Sequence, residues 1–224
     1  LAILPNLDRV VSTSTDMRGA DISRAVQIWQ LSDLSLIKTI RFEPGPRGNE
    51  NYDAAEPRVL RDGKTVLVST FFCGLYRIVD LESENPTAEW VYSFPFNKKW
   101  DCALPVVAGD FWVQAISSES ALVSLDVSDP ANPKKVDELK FKKGEWRHWI
   151  SLEPNGHRII VAGGNRLKNK LLIVNLNPKT GKLSFDENFR DKETNELGFS
   201  FDRFEWPHGN TDSAIPHGSG FSID

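Results

Sequence analysis

The sequence has no apolar run approaching the ~20 residues of a membrane-spanning helix, so no membrane span is expected. It has two cysteines, Cys73 and Cys102, and no Cys-x-x-Cys pair. Two thiols make no disulfide framework and no zinc motif, and each reads as a buried free thiol. An excess of positive charge is also missing: the formal net charge is −4, which excludes a nucleic-acid backbone as the main partner. The basic runs "FNKKWD" and "KFKKGE" read as solvated turns. His-Glu-x-x-His, Gly-x-Ser-x-Gly, Gly-x-Gly-x-x-Gly and the phosphate-binding loop are all absent. Asp16, Asp53, Glu56 and Asp101 lie near expected strand ends, with no spacing that singles out a carboxylate pair. The first residues, "LAILPNLDRV", begin at Leu1 and have no leader-peptide pattern; the start of the natural chain is expected to lie upstream, so periplasmic and cytoplasmic locations both stay open.

Helical periodicity is scarce too, and strands take its place. The 224 residues are 40% hydrophobic, enough for a folded core rather than a disordered chain. Runs such as "AVQIWQL", "KTVLVSTF", "DFWVQAI", "ALVSLDV" and "LLIVNLN" are rich in β-branched and aromatic residues, which suit a pleated surface. Asp62-Gly63, Asp129-Pro130 and Asn155-Gly156 supply turns between them.

The strands recur as a unit of two strands around a tight turn, a third strand and a fourth. Glu56, Cys102 and His148 open successive units at equal intervals of 46 residues, and Asp80 and Asp126 close third strands at the same interval. A four-strand repeat of ~40–50 residues is the signature of a β-propeller blade. A blade cannot bury both faces alone, so its neighbours must cover them. A β-sandwich does not require the equal spacing. The expected fold is therefore all-β, a β-propeller with blades at about 1–45, 54–98, 100–144 and 147–200. The stretch 215–224 resembles the first strand of a further blade, and 186–215 is an insertion loop. Both ends supply the same strand type, which points to part of a larger ring with its remaining blades N-terminal. A four-bladed ring closed irregularly is the alternative. Most of the seven tryptophans, Trp146 and Trp149 among them, are expected to wedge between blades.

In a propeller the first strand of each blade lines the central channel. By that logic Glu56, Cys102, His148 and His217 occupy similar positions. All four side chains can bind a metal, and thiolate and imidazole suit copper or zinc. Four donors from four blades stand too far apart for one ion, so two neighbouring histidines with donors from further blades make the better site. The competing reading is ordinary polar lining of a hydrated channel, with Cys102 simply packed. A one-residue slip in register turns a side chain to the opposite face. His157 should face solvent beyond its turn. His208, in the long 186–215 loop, is placed either at the channel mouth or on the surface.

Several of these segments carry a resemblance. "DRVVSTSTDM", "AVQIWQLSDLSLIKTI", "AEPRVLRDGKTVLVSTFFCGLYRI" and "LVSLDVSDPANPKKVDEL" are similar to the selenium-binding protein family, which includes methanethiol oxidases. The similarity is strongest over residues 8 to 140. With two Pro-His-Gly motifs, the whole chain looks like the C-terminal half of bacterial relatives of that family. The resemblance implies a seven-bladed propeller and a copper site with histidine ligands in the channel. It also implies conversion of methanethiol to formaldehyde, hydrogen sulfide and hydrogen peroxide. Two departures stand against a full transfer. The family's cysteine-containing selenium motif is not visible, and its His-Gly-Asp segment is replaced by "SSESALVSLDVSDP".

Three functions follow as expectations. The first is a copper-dependent (less readily zinc-dependent) oxidase of small sulfur compounds, with His148 and His217 as ligands. The second is a non-catalytic propeller that binds a small molecule or protein partner through the 186–215 loop. The third is a lactonase-type hydrolase, which would need a carboxylate cluster that the sequence does not display.

Overall fold

The computed structural model describes residues 1–14, 23–95, 101–142, 148–163, 169–210 and 212–222. Asp16, Trp146 and most of the two basic runs lie outside these residues. The described chain forms four antiparallel four-stranded sheets, each a meander in sequence order. Sheet 1 holds β1 (Ala2–Leu4), β2 (Arg9–Thr13), β3 (Ala25–Gln30) and β4 (Leu36–Arg41). Sheet 2 holds β5 (Ala54–Val59), β6 (Val66–Thr70), β7 (Gly74–Val79) and β8 (Thr87–Ser93). Sheet 3 holds β9 (Cys102–Ala108), β10 (Phe111–Ile116), β11 (Ala121–Asp126) and β12 (Lys134–Lys140). Sheet 4 holds β13 (Trp149–Leu152), β14 (Arg158–Gly163), β15 (Lys170–Leu176) and β16 (Leu183–Phe185).

The turns follow their residues. The Asp62 carboxylate accepts bonds from the Lys64 and Thr65 amides, and Gly63 takes the positive φ of 70° that this corner needs. Gly156 does the same at φ 74° after Asn155, which leaves His157 exposed at the start of the next strand.

Three apolar seams join the sheets, and the period-two alternation of each strand assigns its residues to them. Val66 and Val68 of β6 pack with Leu4, Val11 and Ile28 of sheet 1. Leu67, between them, faces the other way and packs with Trp112, Ile116 and Leu125 of sheet 3. Val113 and Ala115 of β10 then face Ile150, Ile159 and Val161 of sheet 4. Covered on both faces, β10 reads "FWVQAI" with every residue buried, while the outer strand β12 reads "KKVDELK" and is mostly accessible. Inner strand packs on inner strand, β1 on β5, β5 on β9 and β9 on β13. These are blades of a β-propeller, set in a row that does not close into a ring.

The fourth blade departs from the pattern. Its outer strand is split: β16 pairs with the Val174–Leu176 end of β15, and β17 (Phe199–Ser200) pairs with Lys170 and Leu171 at the other end. Residues 186–198 leave the sheet between the two. A small hairpin, β18 (Glu205–Trp206) and β19 (Gly209–Asn210), follows. The tail, expected to be a first strand at 215–224, forms no ladder over residues 212–222. Its Ser219 is tied to Ser151 of β13, and no strand pairs with the tail among the described residues.

Candidate functional site

The entry to β13 and the C-terminal tail bring two of the four expected donors together. The ring centroids of His148 and His217 lie 5.2 Å apart, and the Trp149 ring stands 5.9 Å from His217. His148 is fixed through its backbone just before β13: its N–H donates to Ala162 O (3.3 Å), and its carbonyl accepts from Leu104 N of β9 (3.4 Å). It is thereby tied to both its own blade and the preceding one. His217 is carried by the tail. Trp149 and Ser151 alternate onto one face of β13, and Ser151 Oγ donates to Ser219 O at 2.6 Å while Ser219 Oγ donates to Ser151 Oγ at 3.1 Å. Trp149 Nε1 donates to the same Ser151 oxygen, at 3.2 Å. This serine clasp holds the Pro216-His217-Gly218 segment over β13, with Pro216 buried and His217 exposed. The spacing in the sequence did not reveal it. Trp149 and Ser151 are visible as one strand face, but nothing local says which segment covers them.

His148 is half-buried, and its pKa lies below the ordinary 6.5, first because burial penalises the charged ring and second because of the neighbouring His217. A neutral imidazole at neutral pH is a proton acceptor and a metal ligand.

The other two expected donors stand elsewhere. Cys102 is bonded to Cys73 in a disulfide, with Cα atoms 5.1 Å apart, and both residues are buried in the seam between sheets 2 and 3. This corrects the expectation of two free thiols, and it removes Cys102 from any thiolate site. The register explains the misreading. Cys102 pairs with Ile116, the last residue of its second strand, as Ala54 pairs with Thr70, the last of its own. Cys102 is the counterpart of Ala54, not of Glu56, which pairs with Ser69. Both inner strands also contain a bulge near this point, so equal counting along the chain does not give equal positions. Glu56 is engaged by Arg58, with Nη1 2.6 Å from its Oε2. His208 sits exposed in the turn between β18 and β19, stacked near Trp206 with ring centroids 6.2 Å apart.

Two imidazoles on one ion, with metal–nitrogen bonds of ~2.0–2.1 Å and a tetrahedral angle, have ring centres roughly 5 Å apart. The spacing of His148 and His217 fits that demand. A copper or zinc site needs further donors, and among the described residues no group of three or more His, Cys, Asp or Glu side chains comes together. The residues described here therefore do not complete a metal centre.

No protein-family model matches the chain, and no curated protein matches its sequence. Solved structures do match. A hypothetical selenium-binding protein from Sulfolobus tokodaii superposes with TM-score 0.62 at 16% identity, over 95% of this chain and 58% of its own. A protein from Lactobacillus plantarum gives TM-score 0.61 at 14% identity, over 88% and 55%. The periplasmic gluconolactonase of Pseudomonas aeruginosa gives 0.55 at 13%, over 86% and 67%. The chain thus spans little more than half the length of the first two. At such identities the likeness concerns the fold: this is a β-propeller chain, similar in architecture to a selenium-binding protein homologue and to a gluconolactonase.

Proposed function

We propose that this chain is the ligand-binding part of a selenium-binding-protein-like propeller, in which His148 and His217 offer a pair of imidazoles to a metal ion of the copper or zinc class. The carrying observation is the 5.2 Å approach of the two rings, from segments about seventy residues apart in sequence. The serine clasp supports it by fixing the tail that brings His217. The finer reading, a copper-dependent oxidase of small sulfur compounds, rests on the sequence resemblance. It requires donors beyond this pair, so no chemical step is assigned to these residues. A lactonase reading finds less support, because the described carboxylates form no metal-binding cluster.

A second reading draws on the hairpin loop. Phe201 meets Trp206 at a tilt (5.7 Å), Trp206 lies near His208, and Phe204 is 74% exposed. Such an aromatic surface suits a non-catalytic binding role.

Calorimetric titration with Cu(II) and with Zn(II), read beside elemental analysis of the purified chain, tests the first reading. Binding of one ion is expected, weakened about tenfold or more in His148→Ala and equally in His217→Ala. Absence of saturable binding, or binding indifferent to both substitutions, rejects it.

A further inference from the structure

On the outer side of the seam between sheets 3 and 4, where β12 packs beside β16, a cavity of about 280 Å³ opens to solvent. Its floor is apolar: Phe141 and Phe185 meet edge to face at 5.5 Å, with Leu172 and Leu197 beside them. Its rim is basic, formed by Lys140, Lys142 and Lys170. We propose that this cavity is a binding site for a small aromatic monocarboxylate, unconnected with the histidine pair.

Charge and shape both select that class. Lys140 is shared with Glu138 (3.3 Å) and, more loosely, Glu119 (3.9 Å), and Lys170 is held by Glu196. These contacts steady two ammonium groups at the rim. Lys142 is exposed and joins no acidic side chain among the described residues, and Glu138 is shared with Lys135, so the described Lys135, Lys140, Lys142 and Lys170 outnumber the carboxylates of Glu119, Glu138 and Glu196 by one positive charge. On a chain of net charge −4, this is a local departure that favours one negative charge and not several. The floor offers ring faces and edges to a flat hydrocarbon body, and the volume lies just below the usual range of ligand pockets, ~300–1,000 Å³, which restricts the ligand to a small one. The site exists because blades diverge outward. The outer strands cannot close the seam, and Leu197 of the 186–198 excursion forms one wall where a regular blade has nothing.

The test uses 2-naphthoate as the probe, followed by its own fluorescence and by calorimetry on the 224-residue chain. Saturable binding with a dissociation constant below about 1 mM is expected. The neutral analogue 2-naphthylmethanol should bind about threefold to tenfold more weakly, as should the Lys142→Glu variant. Leu197→Trp, which fills the cavity, should abolish binding. Lys142 is exposed, so its variant keeps the test sound even if Leu197→Trp fails to fold. No saturation up to about 1 mM, equal affinity for the neutral analogue, or full binding by Lys142→Glu overturns the proposal.

Discussion

At the scale of single residues, the chemistry concentrates on His148. Its folded pKa is lowered, so the folded chain binds fewer protons at this ring than the unfolded chain does. Its contribution to stability is complete above the unfolded value of 6.5 and is lost as the pH falls from there toward the folded value. Denaturant midpoints measured between about pH 5 and pH 8 should fall on the acid side of that window. The slope should flatten in His148→Gln, whose side chain does not titrate. Gln114 presents a different case. It is fully buried in β10, accepts from Trp112 Nε1 at 3.1 Å and donates to Ala103 O beside the bulge in β9. Gln114→Ala strands both partners and should cost about 1–3 kcal/mol in equilibrium unfolding. Nothing in "FWVQAI" marks that glutamine as a strut, because its partner is set by a bulge that only the folded sheet displays.

At the scale of elements, strands and turns were readable because their causes are local. Alternation, β-branching and the Asp-Gly and Asn-Gly corners act within a few residues. The split outer strand of sheet 4 was less readable. The segment 186–215 stood out by length, yet its return to the sheet as β17 depends on Asp191. That buried carboxylate accepts from the Ser200, Glu193 and Thr194 amides and pairs with Arg203 Nη2 at 2.7 Å. These contacts, the Ser200 amide foremost, hold its pKa below the ordinary 3.8. The stabilisation is present above 3.8 and disappears as the pH falls through the folded value. Asp191→Ala should weaken the excursion by about 1–3 kcal/mol. Limited proteolysis should then cut within residues 186–198 at neutral pH, while the intact chain resists. Equal protease resistance of the two proteins would rule out this anchoring role.

At the scale of the molecule, the sheets are held by three seams, and the second is cross-linked. Cys73 lies just before sheet 2's third strand and Cys102 opens sheet 3's first, 29 residues apart, so their bond ties one blade to the next. In a chain-entropy picture a bridge of this length contributes about 2–4 kcal/mol. Replacing both cysteines with serine should lower stability by that order. A thiol assay on the denatured, unreduced chain should find no free thiol, with two appearing after reduction. Free thiols before reduction would show that the bond is not formed.

The sequence by itself determined the strands, their grouping into four-stranded units and the propeller class, because propensity, turn chemistry and a repeat of regular length act along the chain. It also singled out His148 and His217 among four histidines. Only the tertiary structure decided that these two rings meet, that Cys102 points into a seam instead of the channel, and that a lysine-rimmed cavity opens at the outer edge of the fourth blade. Each of those facts depends on which face a strand turns to its neighbour. A single bulge reverses that face, and a count of residues along the chain does not register it.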